Sequence, residues 1–206
     1  MISFMELKEY KNTGVQVLKW IRYHLLSLSV PIQRLMQKIG KPEPLVHYTE
    51  VNNALQLMEP GDCILTRENW RLTNIFIPGY WSHAAMYVGG CEIVEAIAPE
   101  VRCVNAIEML LKKDEFVVLR PTWMEKLQRS QSALEARSYQ GIKYDYLFDT
   151  NKALYCSELV YQAYKYAGKV TPPLILMQTF GVYNVNPDHF AQSQSMKVIC
   201  FGGKGK

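Results

Sequence analysis

Apolar residues recur at positions 7, 10, 17, 18, 21, 25 and 28, the spacing of one face of a helix. Pro31 breaks that pattern, "PIQRLMQKIG" reads as a second short helix closed by Gly40, and "KPEP" (41–44) is a linker. From Leu45 the pattern changes. After "MEPGD", which ends a helix and turns the chain, short apolar runs follow quickly: "CILTR" (63–67), "HAAMYV" (83–88), "CEIVEAI" (91–97), "EFVVLRP" (115–121) and "MKVICF" (196–201). Their length and β-branched content make them strands. "NAIEMLLKK" (105–113), "WMEKLQRSQSALEARSYQ" (123–140) and the stretch from Cys156 to Gly168 carry helical periodicity instead. Several antiparallel-type strands, then helices, then a last strand make the class α+β. The expected organisation is a helical arm and linker over 1–44 and one domain over 45–206.

Length and composition fit that division. The chain has 206 residues, 49% of them hydrophobic and 20% charged, enough for one sizeable core with an appendage. A net charge of +4, with no run of Lys and Arg longer than two, argues against a nucleic-acid partner and leaves an anionic surface open. The arm is read as a packing helix. Its Lys19, Trp20 and Arg22 also suit a membrane interface, so peripheral contact with a membrane is the alternative. The longest uncharged run there, "YHLLSLSVPIQ", is too short to span a bilayer, and no A-x-A-like cleavage site follows it. A cytoplasmic protein is expected. Five cysteines (63, 91, 103, 156 and 200) without a C-x-x-C pair exclude a disulfide framework and a zinc finger, which agrees with a reducing compartment.

One cysteine stands apart. Four lie in apolar runs that read as buried strand, whereas Cys156 opens a helix whose stripe is Leu159, Val160, Ala163 and Ala167. An ordinary thiol is only slightly ionised near neutral pH and needs help to act as a nucleophile. The positive end of the helix dipole gives some, and the unpaired N–H groups of the first turn can bind an oxyanion. A plain buried cysteine is the equal alternative on position alone.

A base is needed, and of four histidines His83 has a partner. Twelve residues on, Glu95 interrupts an apolar strand, where a carboxylate is costly unless paired. Such a carboxylate holds an imidazole in the useful tautomer and stabilises its charged form. With a hairpin loop of Gly89-Gly90 the two side chains would lie on opposite faces. With a loop of Val88-Gly89-Gly90, His83 would stand directly opposite Glu95, with Ala85 opposite Ile93 and Tyr87 opposite Cys91. In either case Glu92 and Glu95 point to opposite faces of their strand.

The ordered set "EPGDCILTR", "YWSHAAMYVGG", "EIVEA", "VVLRP", "GIKYDYLF" and "LYCSELVYQAY" resembles the YiiX/YaeF-like permuted papain-fold cysteine amidases and peptidases of the NlpC/P60 superfamily, over roughly Leu57 to Gly168. The resemblance implies a circularly permuted papain-like fold, an antiparallel sheet or partial barrel packed on helices. In this group the order is histidine, acidic residue, cysteine, which His83, Glu95 and Cys156 match. Tyr144 looks like a residue near the active site of these relatives, with a core tyrosine as the equal alternative. Trp81, just before His83, is the second candidate for contact with substrate. Asp62 resembles a structural turn residue. The arm has no counterpart in the family pattern.

The favoured expectation is a thiol hydrolase that cleaves an amide in a short peptide or an amino-acid conjugate. A lipid acyl hydrolase or acyltransferase would use the same residues, as in the lecithin–retinol acyltransferase-like group. An inactive module that binds peptide or lipid is the alternative of another class. No cofactor and no metal are expected, because His83, Glu95 and Cys156 lack the close spacing of a zinc-ligand pair.

Overall fold

The computed structural model describes residues 24, 43–69, 79–146, 153–169, 171–174, 177–179 and 182–203. The arm expected over 1–44 therefore lies almost wholly outside the described residues. In chain order the elements are α1 (Tyr48–Leu57), β1 (Cys63–Arg67), β2 (His83–Gly89), β3 (Glu92–Ile97), β4 (Glu100–Asn105), α2 (Ala106–Leu110), β5 (Glu115–Pro121), α3 (Lys126–Ser138), α4 (Cys156–Gly168), β6 (Met177–Thr179), β7 (Val182–Asn184), α5 (Pro187–Gln192) and β8 (Met196–Gly202). Six strands form one sheet in the order β4-β3-β2-β1-β5-β8, and each ladder is antiparallel.

The period-two alternation of the strands feeds two cores. Cys63, Leu65, Ala84, Met86, Val94, Ala96 and Leu119 pack under α3 and α4 on one face. Ile64, Ala85, Tyr87, Ile93, Phe116 and Val118 pack under α1 and α2 on the other. Strands covered on both faces show continuous apolar runs, which is why β1 and β5 match the runs in the sequence residue for residue.

Strand β4 was not expected. It is the edge of the sheet, only Val101 in it is buried, and its mix of Glu, Arg and Asn hides the pattern. Its last residue, Asn105, caps α2 by accepting from Ile107 N and Glu108 N at 2.9 and 3.2 Å. "NPDHF" (186–190) is the start of helix α5, with Asn186 as N-cap and Pro187 in its first turn.

Asp62 is the structural residue that the turn suggested. It is fully buried, accepts two bonds from the Arg120 guanidinium at 2.8 and 2.7 Å, and accepts the Glu59 backbone amide at 2.8 Å. Beside it, Gly61 has φ +91°, and a Cβ there would stand 2.2 Å from the Arg129 carbonyl oxygen, so only glycine fits.

The β2–β3 hairpin corrects both expected registers. Gly89 pairs with Glu92 around a two-residue turn of Gly90 and Cys91, both with positive φ as a type I′ turn requires. A bulge at Val88 then shifts the ladder, so Tyr87 faces Ile93 and Ala85 faces Glu95. The turn alone would put His83 and Glu95 on opposite faces; the extra residue at the bulge restores them to one face. Cys91 consequently lies in the turn and not in a buried strand.

Candidate active site

Helix α4 is amphipathic, and Leu159, Val160, Ala163, Tyr164 and Ala167 bury its inner face. It lies along β2, starting at the His83 end. Near its other end the Tyr164 hydroxyl donates to the Gly61 carbonyl at 2.7 Å, and the Gly61 amide bonds the Tyr87 carbonyl at 2.8 Å. The helix start is held by one backbone residue. The Val185 amide donates to the Tyr155 hydroxyl at 3.1 Å, and the Ser157 hydroxyl donates to the Val185 carbonyl at 2.7 Å. Cys156 sits between those two anchors, buried, as the first residue of the helix.

The same helix start carries an acid. The Glu158 carboxylate accepts from the Tyr155 backbone amide and the Gln162 side chain. Burial, followed by the charge of Asp145, outweighs those bonds and pushes Glu158 up to about 7.

His83 opens β2 with its ring buried, and Cys156 and Glu95 are its side-chain hydrogen-bond partners. Nε2 lies 2.8 Å from Glu95 Oε2, which leaves Nδ1 for the thiol. Burial works against the charged imidazole, but the bonds to Cys156 and Glu95, with their charges, outweigh it and raise the His83 pKa. Burial likewise pushes Glu95 up. The bond and charge of His83, then the charges of Lys113 and Arg102, outweigh that and hold the carboxylate well below its usual range. Glu95 is 1% exposed and its second oxygen is also taken: Arg102 Nε and Nη2 donate to Oε1 at 2.9 and 2.7 Å. Glu92 points to the other face, half-exposed, and pairs with Arg137 at 2.6 Å.

The sequence-derived residues thus separate into two groups. His83, Glu95 and Cys156 form one hydrogen-bonded chain. Trp81 and Tyr144 are partly buried against the core beneath α3 and α4. The Trp81 amide donates to Asp188 Oδ1 at 3.2 Å, and its ring stands edge-on to Tyr80 at 5.2 Å. Tyr144 pairs with Leu154, two residues before the cysteine, and its ring meets Tyr146 at 5.1 Å. Sequence reading missed Arg102, because β4 itself was missed. It also missed Asp188 and the Val185 backbone, for which no sequence signal existed.

A cysteine at a helix start, reached in the chain only after its histidine and carboxylate, on an antiparallel sheet with helices on both faces, belongs to the permuted papain-like cysteine hydrolases. The chain is a member of the family described as permuted papain-like amidase enzyme, YaeF/YiiX, C92 family, whose pattern it matches over residues 57–200. Among solved structures it is similar to metalloprotein yiiX from Escherichia coli O157:H7. The TM-score is 0.58 and the identity 17%, over 70% of this chain and 97% of that one, a likeness of fold. No curated protein matches the sequence. Among the described residues of this chain, no three His, Cys, Asp or Glu side chains converge as metal ligands. No described helix is long and apolar enough to cross a membrane.

Proposed function

We propose that the protein hydrolyses an amide bond in a short peptide or amino-acid conjugate, with Cys156 as nucleophile, His83 as general base and acid, and Glu95 as the residue that orients His83. The observation that carries this reading is the buried 2.8 Å bond between His83 Nε2 and Glu95 Oε2, with Cys156 as the second partner of the same ring. Glu95 fixes a proton on Nε2, so the Nδ1 lone pair faces the thiol. Transfer of the thiol proton to Nδ1 gives a thiolate beside an imidazolium, and the charge of Glu95 stabilises that ion pair.

The thiolate attacks the carbonyl carbon, and the C–S bond forms as the carbonyl π electrons move to oxygen. The N–H groups of a helix's first turn can bind such an oxyanion, and those at the start of α4 are the proposed donors to this developing charge. The imidazolium gives its proton to the leaving amine, the C–N bond breaks, and a thioester remains on Cys156. Water, deprotonated by His83, attacks the thioester. Collapse releases the acid and returns the proton to the thiol. Tyr144 and Trp81 are the proposed contacts for substrate.

Two measurements test the reading. Iodoacetamide at about pH 6, below the ordinary thiol range, should alkylate Cys156 ahead of the other four cysteines. Burial raises the pKa of Cys63, Cys103 and Cys200, the last to about 11. Cys91, half-buried in the β2–β3 turn, is the competitor to watch. A library of amino-acid amides, short peptides and acyl lipids, assayed against wild type and Cys156→Ser, then identifies the substrate class. Wild-type turnover of lipids alone would replace the amide assignment with the acyl-lipid one. Turnover retained by Cys156→Ser would remove the cysteine from the mechanism.

A further inference from the structure

The carboxylate behind the histidine is itself held, and the way it is held restricts what it can do. Arg102 stands directly across from Glu95 in the β3–β4 ladder. Both of its bonds, from Nε and Nη2, end on the same oxygen, Oε1. Oε2 is thereby reserved for His83. A carboxylate with free oxygens can exchange them by rotating about its terminal bond. Here exchange would break two charge-assisted bonds at once.

We propose that Arg102 is a positioning residue of the catalytic chain: it locks the Glu95 carboxylate so that Oε2 is always presented to His83 Nε2. The proposal rests on the Cys156-His83-Glu95 reading. The side chain of Glu95 is almost wholly enclosed, and Arg102 is the only cation bonded to Oε1 among the described residues. Without it Oε1 would be a buried acceptor without a donor, a state the carboxylate relieves by turning or by taking up a proton. Either response loosens the bond to Nε2 and weakens the imidazolium that the thiolate needs.

The surroundings allow a substitution there without disturbing the core. Arg102 is 54% exposed in its side chain and borders a cavity of about 550 Å³ on the side of the sheet that carries α2. The charged groups facing Glu95 and Arg102 in that cavity are Glu68, Glu108, Lys112 and Lys113, with Lys113 bonded to Glu68. Lys113 acts on Glu95 through its charge.

The test is the pH profile of Cys156 alkylation by iodoacetamide in full-length wild type, Arg102→Ala and Arg102→Lys, with thermal melting as the check of folding. Lys143→Ala, which breaks an exposed pair with Glu100 beside the same strand, is the control. For Arg102→Ala the rate at about pH 6 should fall roughly tenfold, by analogy with the lower end of losses found when partners that orient metal-ligating histidines are removed. The profile should move to higher pH, with the rate at about pH 9 changed less than twofold, because a free thiolate no longer needs the imidazolium. Arg102→Lys should fall between, since an ammonium supplies charge without the planar fork; if the alanine variant does not fold, this variant decides. An unchanged profile in a folded variant overturns the proposal. So does a profile moved to lower pH, which would mean that the charge of Arg102 merely opposes the imidazolium. If wild-type Cys156 is not labelled preferentially at about pH 6, it is the underlying triad that fails.

Discussion

His83 and Glu95 bond at 2.8 Å from positions that are two residues out of register across the β2–β3 ladder, because Glu95 stands opposite Ala85. Diagonal neighbours in an antiparallel pair are about 7–8 Å apart at Cα, a gap that a glutamate and a histidine can bridge. Direct opposition is therefore not needed for the pairing. What is needed is that both side chains share a face, and the bulge at Val88 provides this.

Glu95→Gln should abolish most activity through the tautomer of His83. Arg102 requires an acceptor at the Oε1 position, so the amide oxygen goes there and the amide NH2 faces Nε2. Nε2 must then accept, and the ring proton moves to Nδ1, the nitrogen that takes the thiol proton in the proposed mechanism. A triad orienter neutralised in this way costs on the order of 10⁴ in kcat. Glu92→Gln lies on the opposite face and should change the rate less than about twofold, as surface substitutions away from a site do. Equal losses in the two variants, measured on any substrate found by the library screen, would show that the face assignment is wrong.

These two acids show where sequence reading reached and where it stopped. Helix α4 was legible to the residue, since its stripe starts after Cys156 and nothing interrupts it before Gly168. The pairing of His83 with Glu95 was legible because a carboxylate inside an apolar strand demands a partner. The register was not. It depends on one extra residue at Val88 and on positive φ at Gly89, Gly90 and Cys91, and a non-glycine residue in the left-handed region is not announced by its side chain. Arg102 was hidden for a different reason: an edge strand open to solvent carries polar residues that mask its alternation.

Asp62→Asn should destabilise the fold without touching the site. The carboxylate is fully buried and receives both arms of the Arg120 fork. Removing one charge from such a pair leaves the other partly desolvated and costs about 3 kcal/mol. Urea denaturation should show the loss as a lower midpoint at unchanged slope, with alkylation of Cys156 in the folded protein unaltered. A midpoint equal to that of wild type would mean that the buried pair contributes nothing net.

Gly79→Ala should separate the two halves of the site. Gly79 has φ +117°, and a Cβ there would fall 1.4 Å from Asp188 Oδ2. The clash displaces the carboxylate that accepts the Trp81 amide, two residues before His83. Asp188 lies three residues after Val185, whose backbone holds the helix start at Cys156, so the same short segment ties the histidine strand to the cysteine helix. The expected result is a folded protein with slower alkylation of Cys156 at about pH 6. Asp188→Asn, which keeps an acceptor oxygen for the Trp81 amide, should be milder. A Gly79→Ala protein with wild-type labelling would show that the 79–82 turn does not position His83.

The last expectation concerns Glu158, two residues after Cys156 and held at about 7 first by burial and then by the charge of Asp145. An acid whose pKa is raised on folding binds its proton more tightly in the native state. It therefore adds stability that is fully present below its ordinary value of 4.5 and is lost as the pH rises through about 7. His83, also raised, acts in the same direction, whereas Glu95, depressed, contributes stability that is present above the ordinary carboxylate range and lost in acid. Wild-type stability alone mixes these effects; its difference from Glu158→Gln isolates one. Glutamine keeps an oxygen for the Tyr155 amide and cannot ionise beside Asp145. Relative to wild type, the variant should gain on the order of 2 kcal/mol between about pH 5 and pH 8, less than the full displacement would give because the group is only partly enclosed. Denaturant midpoints at those two pH values measure the gain. Curves that run parallel would mean that Glu158 is ionised in the native protein across the whole range, and that the helix start at Cys156 carries its negative charge without strain.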